Sequence, residues 1–327
     1  MSLPIAVASG PRSGPEAEPK VKVLYIGGLG RSGSTLLDCV VGQLPGFFSA
    51  GEIRDLWDTG LRENRLCGCG RPFRECEVWS AVGRDAFGGW HRVDVDRAIG
   101  LARTVDRHSR WPLLVRPQVW PAFRADLREY DEMLSRLYRA IRSVVGARVI
   151  VDSSKAPSTA FVLRTIADLD LRVVHLIRDS RGVAFSWSKR VLRPDTPRRT
   201  VYMHRYHPLR TGARWITRNS LMEVIGRLGV PGVRVRYEGV VEDPRREVVR
   251  IARMLDEEVT EEALSFIRPG EVVLGPNHTV MGNPVRMRSG PMQLRLDSEW
   301  RRSMDVGQRR AVTLLTWPML RRYGYER

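Results

Sequence analysis

VKVLYIGGLGRSGSTLLDCVVGQLP, residues 21–45, is the stretch on which the fold of this chain turns. Val21–Ile26 is a largely apolar run of strand type, and an apolar helix follows from about Ser34 to Gln43. Between them lie glycines at 27, 28, 30 and 33. Strand, glycine-rich turn and helix in that order make a phosphate cradle, in which backbone N–H groups and the positive end of the helix converge on an anion. Against the triphosphate pattern G-x-x-x-x-G-K-[ST], Gly28 and Gly33 fit, but Ser34 stands where lysine belongs. The loop's only cation is Arg31.

Outward from that motif, strands alternate with helices. ARVIVD ends at Asp152 and is followed by a helix over Pro157–Asp168. LRVVHLI ends at Ile177, with a helix from about Ser180 to Val191, and a helix over Leu209–Leu228 precedes VRVRY, which ends at Tyr237. Near-continuous apolar strands joined by helices predict an α/β fold with a P-loop-like central parallel β-sheet, flanked by helices on both faces. A helical, arginine-rich stretch spans roughly Asp85–Val145, broken at RWPLLVRPQVWP, whose prolines forbid a continuous helix. After Glu258 come the loop GPNHTVMGNPVRMRSGP and a last amphipathic helix near Asp305–Arg322. Residues 1–20 hold Pro, Gly and Ser without a sustained apolar run and read as a disordered lead-in. Residues 21–327 read as one α/β domain, with no repeat and no linker.

The 43% hydrophobic share is that of a soluble globular protein. A net charge of +17 raises nucleic acid as a partner. The make-up of that charge argues against it. Lysine occurs only at 20, 22, 155 and 189, so arginine supplies nearly all the cations, spread along the chain with no basic block and no aromatic ladder. No nucleic-acid partner is expected, and the basic field suits an anionic cosubstrate. No window reaches the ~20 apolar residues of a membrane span, and a soluble, cytoplasmic protein is expected. Cys39 lies in the apolar helix and reads as core. Cys67, Cys69 and Cys76, in CGCGRPFREC, lack a fourth cysteine for paired zinc-site spacing. His91 or a water could complete a site, but a local disulfide or buried thiols are the expectation, and no metal is expected.

Ligands of open parallel sheets sit at the carboxyl ends of the strands. Past the strand ending at Ile177 the chain reads RDSRGVAFSWSK. Arg178 leaves the strand, Arg181 opens the helix and Ser186 follows about two turns on. This is either a helix start capped by Asp179 or Ser180, or a second phosphate site using a guanidinium and a hydroxyl. Two such sites fit a ligand with two separate anionic ends.

At these residues the chain resembles the sulfotransferases that use 3′-phosphoadenosine 5′-phosphosulfate (PAPS). GRSGSTLL looks like their 5′-phosphosulfate loop, and RDSRGVAFS like their 3′-phosphate motif, with Arg178 and Ser186 at the binding positions. RYEGVVEDP is similar as well, and the resemblance spans about Val21 to Trp300. It implies transfer of a sulfuryl group from PAPS to a hydroxyl of a small-molecule, carbohydrate or other acceptor, in line and without metal. The amides of Ser32, Gly33, Ser34, Thr35 and Leu36, the hydroxyls of Ser34 and Thr35, and Arg31 would hold the phosphosulfate. The absent lysine then has a physical account. A triphosphate loop needs lysine and Mg²⁺ to manage the charge on its β- and γ-phosphates, whereas the transferring sulfuryl group carries less.

Two further residues follow the resemblance to the protein-tyrosine branch. Glu52 in FFSAGEIRDLW matches its glutamate base, a first-turn cap being the plain alternative. Lys155 in VDSSKAP matches its lysine near the bridging oxygen, against a surface lysine in a turn. The cytosolic branch uses a histidine, and His91 and His108 stand in the right region with no motif around them. Arg286, in the late loop with Asn283 and Arg288, is expected as a second 3′-phosphate ligand. Leu61–Trp120 and Leu192–Pro208 are expected to shape the acceptor pocket. Asp152 also fits the acidic end of a Walker-B strand, which keeps open a small-molecule kinase or other P-loop enzyme with a degenerate phosphate loop.

Overall fold

Strands β1 (Val21–Gly28), β2 (Phe47–Gly51), β3 (Val149–Lys155), β4 (Leu169–Ile177) and β5 (Gly232–Arg236) form a parallel sheet in the order β2-β3-β1-β4-β5. The computed structural model describes residues 19–193 and 201–325. All but the last two residues of the lead-in expected over residues 1–20, and residues 194–200 of the 192–208 loop, lie outside them. Successive side chains of the central β1 feed two cores. Val23 and Tyr25 pack on one face, Leu24 and Ile26 on the other, and all are fully buried. A strand with no solvent face has no reason to alternate, which is why its sequence is almost continuously apolar.

On one face lie α1 (Ser34–Val41) and α8 (Pro244–Met254), through Leu37, Val40, Val248 and Ile251. The other face carries a larger layer: α2 (Glu77–Phe87), α3 (Val95–Val105), α4 (Pro121–Val145), α5 (Pro157–Leu163) and α7 (Pro208–Arg227). Leu127, Leu134, Leu137 and Ile141 recur on one stripe of α4 and join that core. Helix α6 (Ser180–Ser188) and the last helix, α9 (Val306–Arg322), pack together beyond β4. Among the described residues no helix is long and apolar enough to cross a membrane.

The arginine-rich stretch is several pieces. After α2 and α3, the prolines leave only short turns at Trp111–Val115 and Pro117–Val119, and α4 starts with Pro121 in its first turn, where proline is tolerated. The late region, read as a loop and a helix, also holds an antiparallel sheet of β6 (Ile267–Arg268), β7 (Glu271–Leu274) and β8 (Gly290–Gln293). Strands this short, one of them opening Gly290–Pro291, carry no periodic signal.

The register breaks at two places. Ser49 and Gly51 of β2 face the consecutive Val151 and Asp152 of β3, and Tyr25 and Gly27 of β1 face Asp152 and Lys155. Such irregularities re-aim the strand ends beside them.

Candidate active site

The ends of β1, β3 and β4 lie side by side because β1 sits between the other two, and β2 ends on the far side of β3. The chain after β1 and the chain after β4 therefore border one crevice, as expected where strand order reverses. A cleft of about 410 Å³ opens there, lined by Arg31, Ser34, Thr35, Glu52, Lys155, Arg178 and Ser186 among others. These are most of the residues singled out in the sequence, and the fold brings them together.

The anion loop is built as its glycines require. Gly33 precedes α1 at φ +88°, and a Cβ there would lie 2.5 Å from the Tyr237 ring. No side chain caps α1 and no acidic residue stands in its first turn. Its first amides and the positive end of its dipole are thus left for an external anion. Arg31 is itself left-handed, at φ 72°, an uncommon conformation for a residue other than glycine. Its guanidinium stacks over Trp187 at 5.2 Å and donates to Met203 Sδ at 2.9 Å. Burial, and then the charge of Arg193, hold its pKa below the ordinary arginine value. Arg31 Nε and the Ser32 hydroxyl are buried and find no partner among the described residues. Buried donors left unpaired cost ~1–3 kcal/mol each, so the loop awaits acceptors.

Behind the loop, Asp38 is fully buried and accepts from Ser49 Oγ at 2.6 Å and Ser153 Oγ at 2.7 Å. Burial pushes its carboxyl up to about 7. Asp152, also fully buried, accepts from the Tyr138 hydroxyl at 2.6 Å and the Ser154 amide at 2.9 Å. Its carboxylate serves the core, and the Walker-B expectation for it has no exposed acid to rest on.

Glu52 and Lys155 form an ion pair inside the cleft, with side chains 12% and 15% exposed. The irregularities in β2 and β3 fall just before these two residues, and Lys155 itself is left-handed at φ 66°. The Glu52 amide donates to Val280 O at 2.7 Å, fixing its backbone. Glu52 precedes the turn Ile53–Asp55 but makes no side-chain cap, so the plain alternative does not hold its carboxylate. His91 is exposed on the turn Trp90–Arg92. Burial, then Arg218, Arg54 and Arg214, push the His108 imidazole down to about 3.

Arg178 leaves β4 and stacks over the Tyr237 ring at 4.5 Å. It donates to Arg31 O at 3.1 Å and to Asp297 O and Oδ2 at 3.1 and 3.0 Å. Burial works against charge on Asp297, but Arg178 and then Lys189 hold its carboxyl below the usual range. Arg181 is spoken for elsewhere: it pairs with Asp179, the N-cap of α6, at 2.7 Å and stacks over Trp300 at 4.8 Å. The cap reading and the anion reading of this segment thus apply to different arginines.

Arg286 departs from expectation. It is 1% exposed, donating from Nη1 to Thr279 O at 3.0 Å and from Nη2 to Leu66 O at 2.8 Å. It binds two chain segments together below the cleft, so the 3′-phosphate role expected for it is withdrawn. Its neighbour Asn283 does line the cleft, its amide donating to Thr35 Oγ1 at 3.1 Å. The four cysteines are free thiols, so the local disulfide has not formed, and Cys76 Sγ meets His278 Nδ1 at 3.2 Å. Trp187, Tyr237, Asp297 and His278 were not singled out from the sequence. Trp187 adjoins Ser186 in a quoted motif and Tyr237 belongs to RYEGVVEDP, but nothing local marks the other two.

No family model and no curated protein matches the chain in sequence. In structure it is similar to the sulfotransferase domain of the Synechococcus PCC 7002 olefin synthase, with a TM-score of 0.53 and 19% identity, covering 96% of this chain and 98% of that one. It is also similar to the sulfotransferase domain from the curacin biosynthetic pathway, with a TM-score of 0.50 and 14% identity over 94% and 98% of the two chains. The chain has the α/β fold of the sulfotransferases.

Proposed function

We propose that this protein is a PAPS-dependent sulfotransferase acting on the hydroxyl of a small-molecule, carbohydrate or other acceptor. One observation carries the reading. A single cleft joins an uncapped, lysine-free anion loop, a second cationic site at Arg178 and Ser186, and the Glu52–Lys155 pair. The residues present suit the nucleotide. Arg31 Nε and Ser32 Oγ are buried donors lacking acceptors, and the first amides of α1 are uncapped. Ser34, Thr35 and the amides of Ser32, Gly33 and Leu36 would complete the 5′ site, and Arg178 with Ser186 would take the 3′-phosphate.

PAPS would supply the sulfuryl group. The chain's own work is proton and charge handling. Glu52 takes the proton of the acceptor hydroxyl as its oxygen gains the sulfuryl group. Lys155 offers an ammonium to the negative charge left on the departing phosphate. In the present geometry Lys155 is engaged by Glu52. An anion in the loop competes for that ammonium, so its arrival releases the carboxylate for the acceptor. Base activation is thereby tied to nucleotide binding.

The kinase reading needs an acid near the phosphates to hold Mg²⁺, and Asp152 is enclosed by Tyr138 and Ser154. The test is transfer of ³⁵S from labelled PAPS to a panel of phenols, sugars and alcohols, run without added Mg²⁺. Labelled product supports the reading; product formed only from ATP with Mg²⁺ favours the kinase.

A further inference from the structure

The segment CGCGRPFREC closes on a residue far along the chain. The three cysteine sulfurs and a ring nitrogen of His278 lie within 4.8 Å of one another. Cys67 and Cys76 are 1% and 0% exposed, and Cys69 and His278 are half-buried. Around a tetrahedral zinc with Zn–S of about 2.3 Å, neighbouring ligand atoms stand about 3.5–3.8 Å apart. The widest pair need close by no more than about 1 Å, and Cys76 Sγ and His278 Nδ1, at 3.2 Å, need only open slightly, to meet that geometry.

The surroundings are built to hold them. Cys67 anchors a tight turn, its amide donating to Arg71 O at 2.8 Å and its carbonyl accepting from Gly70 N at 2.9 Å. Between the first two cysteines only glycine fits, since a Cβ on Gly68 would lie 2.0 Å from Asn277 Oδ1. Cys76 is the N-cap of α2 and makes no side-chain cap bond, so its sulfur sits at the positive end of an eleven-residue helix, where a thiolate is favoured. From the other side, Trp79 Nε1 donates to His278 O at 2.7 Å and Gly68 N to Thr279 O at 3.0 Å. Arg286 ties Leu66 to Thr279, next to the ligands on both segments.

We infer that Cys67, Cys69, Cys76 and His278 form a structural zinc site. Four protein ligands close the coordination sphere, which leaves no position for substrate and makes the role structural. The ion would clamp residues 67–76 to the segment that continues into the cleft wall. Two residues past His278, Val280 O accepts the Glu52 amide, and Asn283 N donates to Thr35 Oγ1. The clamp therefore supports both the Glu52 turn and the anion loop from behind, and it stands on its own geometry whatever reaction the cleft performs.

Metal analysis of the purified full chain should find about one zinc per molecule. Cobalt exchanged for it should give thiolate charge-transfer and tetrahedral ligand-field bands. His278→Cys should keep the metal and strengthen the charge-transfer band, whereas Cys67→Ser with Cys76→Ser should lose it. Should that double variant fail to fold, the wild type decides. Stripping it with a strong chelator should lower Tm by about 5 °C or more, with recovery on adding zinc alone. A folded wild-type chain that carries no metal, takes up no cobalt and keeps its Tm under the chelator overturns the inference, as does a disulfide among these cysteines in the freshly purified protein.

Discussion

Replacing Glu52 with glutamine keeps the side chain's shape and one hydrogen bond while removing its basicity and its charge on Lys155. The pair is 12% and 15% exposed, between a surface pair worth ~0–1 kcal/mol and a buried one that costs ~3–5 kcal/mol to break. About 2 kcal/mol of stability should be lost in the free protein, seen as a Tm lower by a few degrees. Nucleotide binding should not suffer. The ammonium no longer has to leave a carboxylate before it meets the anion, so PAPS affinity should hold or rise about fivefold, which is about 1 kcal/mol. Turnover should fall about 10²–10⁴-fold, the usual worth of a positioned general base. Calorimetric titration with PAPS beside steady-state kinetics separates the two effects. An acceptor already ionised at assay pH, such as a nitrophenol, should lose far less rate. A Glu52→Gln enzyme that keeps most of its turnover, or one that loses PAPS affinity in proportion to rate, would refute the assignment. A His108→Ala variant that abolishes activity while Glu52→Gln does not would do so as well, since it would give the base role to the histidine.

Arg178→Ala should weaken binding of adenosine 3′,5′-bisphosphate (PAP) by about 1.5–3 kcal/mol and leave adenosine 5′-phosphosulfate nearly unchanged, with a smaller loss in Ser186→Ala; equal losses for both nucleotides would remove the 3′ assignment. Arg286→Ala should lower Tm by exposing two carbonyls and a cavity, yet leave the ratio of those two affinities where it was, as thermal melts and titrations with each nucleotide will read out. Asp38 titrates near 7, above its unfolded value of about 4, so the fold binds more protons there than the unfolded chain; its contribution to stability is present at low pH and lost as pH rises from about 4 to about 7. Asp38→Asn should flatten that part of the Tm–pH curve, and an unchanged slope would contradict the assignment.

The anion loop could be read from the sequence because everything it needs is local: a strand, glycines at set places and a helix within 25 residues. The Arg178 motif was legible for the same reason. The Glu52–Lys155 contact depends on β2 lying beside β3 and on irregular register in both strands, which no window of sequence encodes. Arg286 misled because an arginine in a Gly/Pro-rich loop looks solvated, whereas its surroundings come from Leu66 and Thr279. The cysteine cluster looked incomplete because its fourth member lies 202 positions from Cys76. Asp297, which holds Arg178, had no local signal at all.

The central claim is that one cleft binds a nucleotide with anions at both its 3′ and 5′ ends and needs no Mg²⁺ to do so. Calorimetric titration of the wild-type chain with PAP in buffer without Mg²⁺, beside adenosine 5′-phosphate and Mg²⁺–ATP, tests it without knowledge of the acceptor. PAP should bind at one site per chain, tighter than adenosine 5′-phosphate by at least about tenfold, the worth of one charge-assisted contact to the 3′-phosphate. Equal affinity for PAP and adenosine 5′-phosphate, or binding only of Mg²⁺–ATP, would contradict it.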